Sequence, residues 1–232
     1  MSYPILAAVG GIDFDPDYFF HLFPKILPYI PRTLLISLLS LILALLLGII
    51  LALFRQYRVP VLSPLTKVYV SFFRCTPFIA QLYLFYYGFA QVSHWVKDLS
   101  PFQAILIALS VNYSAYMSEN IRGALNSVDR SQYEAALSIG MRPVQAARRV
   151  ILPQAFRVAL PSLGNDFINL IKSTAIGFTI TLKDIMGVVK QETSTTWRFL
   201  EPYTASILIY WVLIGGLSLI QNRVEARWNE KY

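Results

Sequence analysis

The sequence predicts an all-α integral membrane protein with five transmembrane helices, and three observations carry that reading. Of its 232 residues 56% are hydrophobic and 14% charged, and the mean hydropathy is +0.52, more apolar than a soluble domain of this size can hide in one core. Long apolar runs recur along the chain. The basic residues collect between those runs, so a formal net charge of +7 reads as membrane topology and not as a nucleic-acid footprint. The lipid bilayer is therefore the expected surrounding, with no nucleic-acid partner. A single cysteine, Cys75, leaves no intrachain disulfide, and with two histidines no metal cluster is expected.

Residues 1–32 form an extracytoplasmic or interfacial segment in this reading. Met1 to Gly11 lacks the basic start of a cleavable signal, and Asp13, Asp15 and Asp17 follow it. Between Tyr18 and Tyr29, aromatic rings suit the headgroup region while prolines 24, 28 and 31 argue against a long helix. The run 33–54 is uncharged and leucine-rich, and at about 1.5 Å per residue it covers a hydrocarbon core of roughly 30 Å. Pro60 and Pro64 mark a turn. A second span, 65–89, is interrupted at Arg74-Cys75-Thr76-Pro77 and ends in Tyr83, Phe85, Tyr86 and Tyr87, rings that suit an interfacial belt. The third span is 102–121, the fourth, 159–182, carries polar and charged residues, the fifth, 203–220, is uncharged, and a tail occupies 223–232.

Charge placement sets the expected orientation. Arg55, Arg58, Lys67, Arg122, Arg130, Arg142, Arg148, Arg149, Arg157, Arg223, Arg227 and Lys231 fall on one side, against Lys25, Arg32, Lys97, Lys183, Lys190 and Arg198 on the other. The richer side is cytoplasmic. The N-terminus is then outside, the C-terminus inside, and the insert at 129–153 inside. There is no inverted internal repeat, and an odd number of spans cannot divide into equal halves. Five helices make a thin wall, so a dimer is expected.

Two sets of residues stand out. In the insert, Ser131-Gln-Tyr-Glu134 matches a capping box that starts a helix. Gly140 supplies a left-handed stop, Pro143 suits the first turn of a second short helix, and Pro153 ends that helix. Spacing alone is equally compatible with an amphipathic pair lying on the membrane surface. Within the spans, Asn165, Asn169 and Lys172 share one helix face, with Asp166 and Ser173 beside it; Asn112, Tyr116 and Glu119 form a second stripe, and Arg74 and Gln81 a third. Charges at membrane depth face a protein interior or an aqueous cavity. These residues can present opposite charges to a zwitterion, or Arg74, Glu119, Asp166 and Lys172 can pair among themselves as glue for the bundle. Cys75 reads as a small packed residue.

The insert EAALSIGMRPVQAARRVILP resembles the EAA loop of ABC importer permeases, with Glu134, Ala135, Ala136, Gly140, Ile151, Leu152 and Pro153 on the pattern positions. FFRCTPFIAQLYLFYYG, AYMSENIRGALNSVDRSQYEAA and INLIKSTAIGFTI are similar to segments of the polar amino acid permease branch, so the resemblance runs from about Arg32 to the C-terminus. It implies a type I ABC importer permease fold in which 33–222 is the transmembrane domain and the loop 129–153 is a coupling helix for a cytoplasmic ATP-binding cassette ATPase. The coupling residues would be Glu134, Ala135, Ala136, Gly140 and Arg142. The pathway residues would be Arg74, Gln81, Asn112, Glu119, Asn169, Lys172 and Ser173. It further implies a second permease copy or paralogue and an extracytoplasmic amino-acid-binding protein. No cofactor is expected in this chain, with ATP and Mg on the ATPase. The nearest look-alike of a phosphate-binding loop, Lys172-Ser173, follows Ile171 where a glycine is required. Two departures matter: Cys75 stands where the family has glycine, and Ser173 where it commonly has aspartate. The second points away from arginine or lysine as cargo, towards a neutral or dicarboxylic amino acid such as cystine or glutamine. Two other classes compete, an ATPase-independent channel or receptor-like subunit, and an intramembrane enzyme. For the enzyme the spans offer no Ser/His pair, metal-ligand spacing or clustered carboxylates.

Overall fold

The computed structural model describes residues 14–229, and every described element is helical. The expectations for Met1 to Asp13 and for Lys231 fall outside those residues. Helix α1 (Pro16–Ile26) starts on an Asp15 cap that accepts the Tyr18 amide, and a 3-10 turn, Leu27–Tyr29, leads into α2 (Ile30–Gln56). The prolines do not prevent helix here, contrary to the sequence expectation. Pro28 and Pro31 each fall in the first two residues of a new segment, where no backbone N–H is needed. Pro16–Gln56 is one helical rod of 41 residues.

Many of the apolar residues of α2 point outward, although Ile36 and Leu51 are buried. Leu35, Leu38, Ile42, Leu46 and Ile50 are exposed, while Ser37, Ser40, Ala44 and Gly48 are buried. This inversion suits lipid, where small residues let backbones approach and leucine gains nothing from burial. The buried stripe packs along α6 (Pro101–Asn126), the most extensive helix pairing in the protein. A side chain at Gly48 would meet Met117 Cβ at 3.1 Å and the Ser114 carbonyl at 3.2 Å.

The second apolar run is not one straight span. Helix α3 (Leu62–Cys75) and the segment beginning with α4 (Phe78–Tyr83) are bent by 108° at Thr76–Pro77. Pro77 has no N–H to continue the ladder and drives Thr76 into extended backbone (φ −114°, ψ 147°). A π turn (Leu84–Gly88) and a 3-10 turn (Phe89–Gln91) carry the chain to a short helix, α5 (His94–Lys97). Within the π turn, Tyr87 donates to the Thr179 carbonyl at 3.1 Å.

Helix α6 runs on to Asn126, five residues past the expected end. Helices α7 (Arg130–Ser138) and α8 (Pro143–Ala146) form the insert. Helix α9 (Leu152–Thr174) begins seven residues earlier than expected and ends in a 3-10 turn, Ala175–Ile180. A helix the sequence reading missed, α10 (Ile185–Thr196), follows on an Asp184 cap that accepts the Gly187 amide at 2.8 Å. Helix α11 (Leu200–Asn229) closes the chain. Among the described residues the core falls into three clusters, the smallest made of Ala124, Ala155 and Ala159 from α6 and α9. Ile36, Ala44, Leu82, Leu109, Met117 and Leu170 tie the main bundle together. Leu22, Ile26, Ile185, Val189 and Ala205 hold α1 against α10 and α11, reinforced by Lys25–Glu192 at 2.9 Å.

Among the described residues two helical units, Pro16–Gln56 and Leu200–Trp228, are long and apolar enough to cross a membrane, and the bent pair makes a third if it counts as one span. Helices α6 and α9 are long enough but carry buried polar residues, Asn112 and Asp166 among them.

Replacing Gly48 by leucine should prise α2 from α6 and lower the stability of the detergent-solubilised protein by about 1–3 kcal/mol, the usual cost of overpacking. Gly123→Leu, at a site with nothing within 4 Å, should leave the thermal midpoint unchanged or higher.

Candidate translocation cleft and coupling loop

The break at Thr76–Pro77 leaves the last carbonyls of α3 without helical partners, and side chains take them. Gln81 Nε2 donates to the Phe73 and Thr76 carbonyls, each at 3.1 Å, and to Thr76 Oγ1 at 2.7 Å. Asn112, from α6, donates to the Phe73 carbonyl at 3.2 Å and to Gln81 Oε1 at 2.7 Å. Thr76 Oγ1 donates back to the Phe72 carbonyl at 2.8 Å. Gln81 is thus a clamp for the break and not, as expected, part of a stripe with Arg74. The bend separates the two residues.

Around this break lies a cleft of about 340 Å³ lined by Thr76, Phe78, Asn112, Tyr113, Tyr116, Asp166, Asn169, Lys172 and Ser173. The structure therefore brings together Asn112, Asn169, Lys172 and Ser173 from the predicted set. Asn165, Asn169 and Lys172 share an exposed face of α9, as their spacing predicts. Among the described residues Lys172 has neither an ion pair nor a hydrogen-bonded partner. Asp166, 8% exposed, accepts from Asn120 Nδ2 at 2.7 Å. The Ser173 hydroxyl pairs with Tyr113 at 2.8 Å. Tyr113 was missed because it sits one residue off the expected α6 stripe.

Arg74 and Glu119 line a different cavity. Glu119 binds both Arg55 and Arg122, the latter at 2.7 Å. Arg74 lies over the Tyr116 ring, 5.6 Å from its centroid. Cys75, expected to be packed, is exposed and lines the same cavity.

The insert differs from its expected capping. Asp129, not Ser131, starts α7, accepting the Ser131 amide at 2.9 Å. A carboxylate aimed at free amides is the stronger cap, and Glu134 turns instead to Arg130 at 3.0 Å. The Ser131 amide holds the Asp129 carboxyl below the usual carboxylate range. Its capping contribution is therefore present at neutral pH and lost as pH falls through that lowered value. Gly140 has φ +86°, and the Gly140 amide reaches the Leu137 carbonyl at 2.9 Å and the Met141 amide the Ala136 carbonyl at 3.1 Å. Those two bonds form a Schellman stop. Pro153 does not end the second helix. A π turn, Ala147–Ile151, widens the ladder just before it, and the helix continues as α9. Glu134, Ala135, Gly140 and Arg142 are exposed. Ala136 is only 4% exposed, buried within the loop. Ile139, 76% exposed, and Val144, 67% exposed, are apolar residues on the loop surface. Among the described residues no cluster of His, Cys, Asp or Glu could hold a metal ion.

Residues 44–230 match the family described as "Binding-protein-dependent transport system inner membrane component". The chain belongs to that family. This permease is 45% identical to the "Probable amino-acid ABC transporter permease protein PatM" of Vibrio harveyi, over 94% of this chain and 98% of that one. It is 36% identical to the "L-cystine transport system permease protein TcyL" of Bacillus subtilis, over 86% and 85%. A solved structure titled "Crystal structure of an amino acid ABC transporter with histidines" superposes with a TM-score of 0.86 at 32% identity, covering 93% of the permease and all of that chain. The MetNI methionine ABC transporter, at 18% identity and a TM-score of 0.73 over 98% and 99%, shares the fold. Permeases of this family are transport components and not themselves enzymes. The channel-like alternative is not favoured.

Gln81→Leu should strand the Phe73 and Thr76 carbonyls at a cost of about 1–3 kcal/mol, read as a lowered thermal midpoint of the purified permease. Tyr83→Leu, on an exposed neighbour, should leave the midpoint within error.

Proposed function

We propose that this permease moves a polar amino acid inward across the bacterial cytoplasmic membrane by alternating access, with energy from a separate ATPase. The observation that carries the reading is the cleft beside the break. It places the unpaired Lys172 ammonium and the Asp166 carboxylate on one helix, within a polar wall of Asn112, Asn169 and Tyr116. Lys172 takes the cargo carboxylate and Asp166 the ammonium. A charge at such a position is costly unless a partner arrives, and a zwitterion supplies both counter-charges. Among the described residues Asp166 is the one carboxylate lining the cleft, and the Ser173 hydroxyl pairs with Tyr113, so the cleft offers no second carboxylate for a cationic side chain. A neutral or dicarboxylic amino acid such as cystine or glutamine fits better than arginine or lysine.

In this reading five spans cross the membrane: α2, the bent pair α3 and α4, α6, α9 and α11. The N-terminus lies outside and the C-terminus inside, as the basic residues favour. A second permease, a copy or a paralogue, completes the wall, and an extracytoplasmic binding protein delivers the cargo. The loop 129–153 enters a groove on the ATPase through Glu134, Ala135, Gly140 and Arg142, with Ile139 and Val144 as apolar plugs. ATP and Mg bind that partner. Closure of the ATPase pair draws the two loops together and opens the cleft outward; hydrolysis resets it.

Gly140→Trp or Glu134→Lys should cut binding-protein-stimulated ATP hydrolysis and uptake by about tenfold or more, the range of site-to-site coupling, in assembled transporter in liposomes. Mutants that assemble and couple normally would sink the coupling role, and preferred uptake of arginine would sink the assignment of cargo.

A further inference from the structure

Consecutive residues at the break face two cavities. Thr76 and Phe78 line the cleft described above, whereas Arg74 and Cys75 line a second space of about 460 Å³, together with Arg55, Lys67, Tyr116 and Glu119. Tyr116 is a wall of both. Glu119, one turn further along α6 towards the 129–153 loop, places the second cavity on that side of the first.

The charges in this cavity do not balance. Among the described residues Glu119 is the one carboxylate in its wall, and Arg55 and Arg122 already hold it. Among the described residues Lys67 has no ion pair or side-chain hydrogen bond, and Arg74 has only the face of Tyr116. The two lie seven residues apart on α3, two turns along one face. Unpaired cations lining a cavity attract an anion, and Glu119 is too fully engaged to receive an ammonium group.

We propose that this cavity is a second station for the cargo, an anion site in which Arg74 and then Lys67 take the carboxylate of an amino acid that has left the outer cleft. The assignment rests on the cleft being the cargo site. Tyr116 and Arg74 form the partition: the arriving carboxylate competes with the ring for the guanidinium, and the side chain of Arg74 moves with its new partner. Lys67 then offers the next cation towards the loop. Arg55 and Glu119 form a fixed wall, with Arg122 holding Glu119.

Cys75 is a built-in reporter, since it lines the cavity and is the only cysteine of this chain. In the assembled transporter in liposomes, its modification by anionic sulfonatoethyl methanethiosulfonate is compared with that by the cationic trimethylammonium reagent. Each rate is normalised to a free thiol and read by mass spectrometry of the Cys75 peptide. The anionic reagent should win by about tenfold, and Lys67→Gln and Arg74→Gln should each reduce that ratio. The ratio should be the same in phosphatidylcholine alone and with phosphatidylglycerol added. Lys67→Gln should also lower the maximal uptake rate and leave KM unchanged. Absence of a charge preference, its loss when phosphatidylglycerol is present (a lipid headgroup then fills the cavity), or unchanged maximal uptake in Lys67→Gln would overturn the proposal. A wild-type transporter that takes up no amino acid would instead sink the parent reading, and the cargo assigned here with it, whatever Cys75 shows.

Discussion

The arrangement depends on one capped helix break. Pro77 ends α3 in the middle of an apolar run, which would leave backbone carbonyls bare where no water can reach them cheaply. Gln81 and Asn112 meet those carbonyls from two different helices, so the same bonds that satisfy the break also fix α4 against α6. An irregular backbone inside a membrane protein survives only where protein or an aqueous cavity surrounds it. Here it has both: the clamp on one side and two polar cavities on the other.

Several consequences follow from that geometry. The bend turns Arg74 and Cys75 away from Thr76 and Phe78, so one sequence stretch serves two cavities. The close seam of α2 and α6, made possible by Ser37, Ser40, Ala44 and Gly48, holds the wall against which the break is set. Helix α9 then brings Asp166, Asn169 and Lys172 to the opposite side of the cleft and runs back without interruption to the insert. In the proposed mechanism a displacement of α7 and α8 reaches Lys172 along this helix, because the π turn at Ala147–Ile151 carries the backbone past Pro153.

Much of this was legible in the residues. The spacing of Asn165, Asn169 and Lys172 gave one face of α9, and Gly140 announced a left-handed stop. The family and its transport role were readable from the EAA loop and its neighbours. What failed did so for local reasons. Pro77 was visible, but a proline does not state how far a chain turns, and the bonds from Asn112 that help hold a turn of 108° reach across 39 and 31 residues of sequence. Ser131 and Glu134 have the right spacing for a capping box, yet Asp129, two residues earlier, takes the Ser131 amide that the Glu134 side chain would have accepted. Helix α10 is short and its cap, Asp184, lay in what looked like a polar connection. Pro28 and Pro31 looked like breakers because their positions within the first turns could not be known before the helix starts were.

The central claim is that the cleft made by the break holds a zwitterion between Lys172 and Asp166. The most direct measurement is ligand-induced thermal stabilisation of the assembled permease and ATPase without the binding protein, across a panel of L-amino acids and their decarboxylated amines. The account predicts that some neutral or dicarboxylic amino acid raises the midpoint, that its amine does not, and that Lys172→Met abolishes the rise. An amine that stabilises as well as its parent amino acid, or a rise that persists in Lys172→Met, would contradict it.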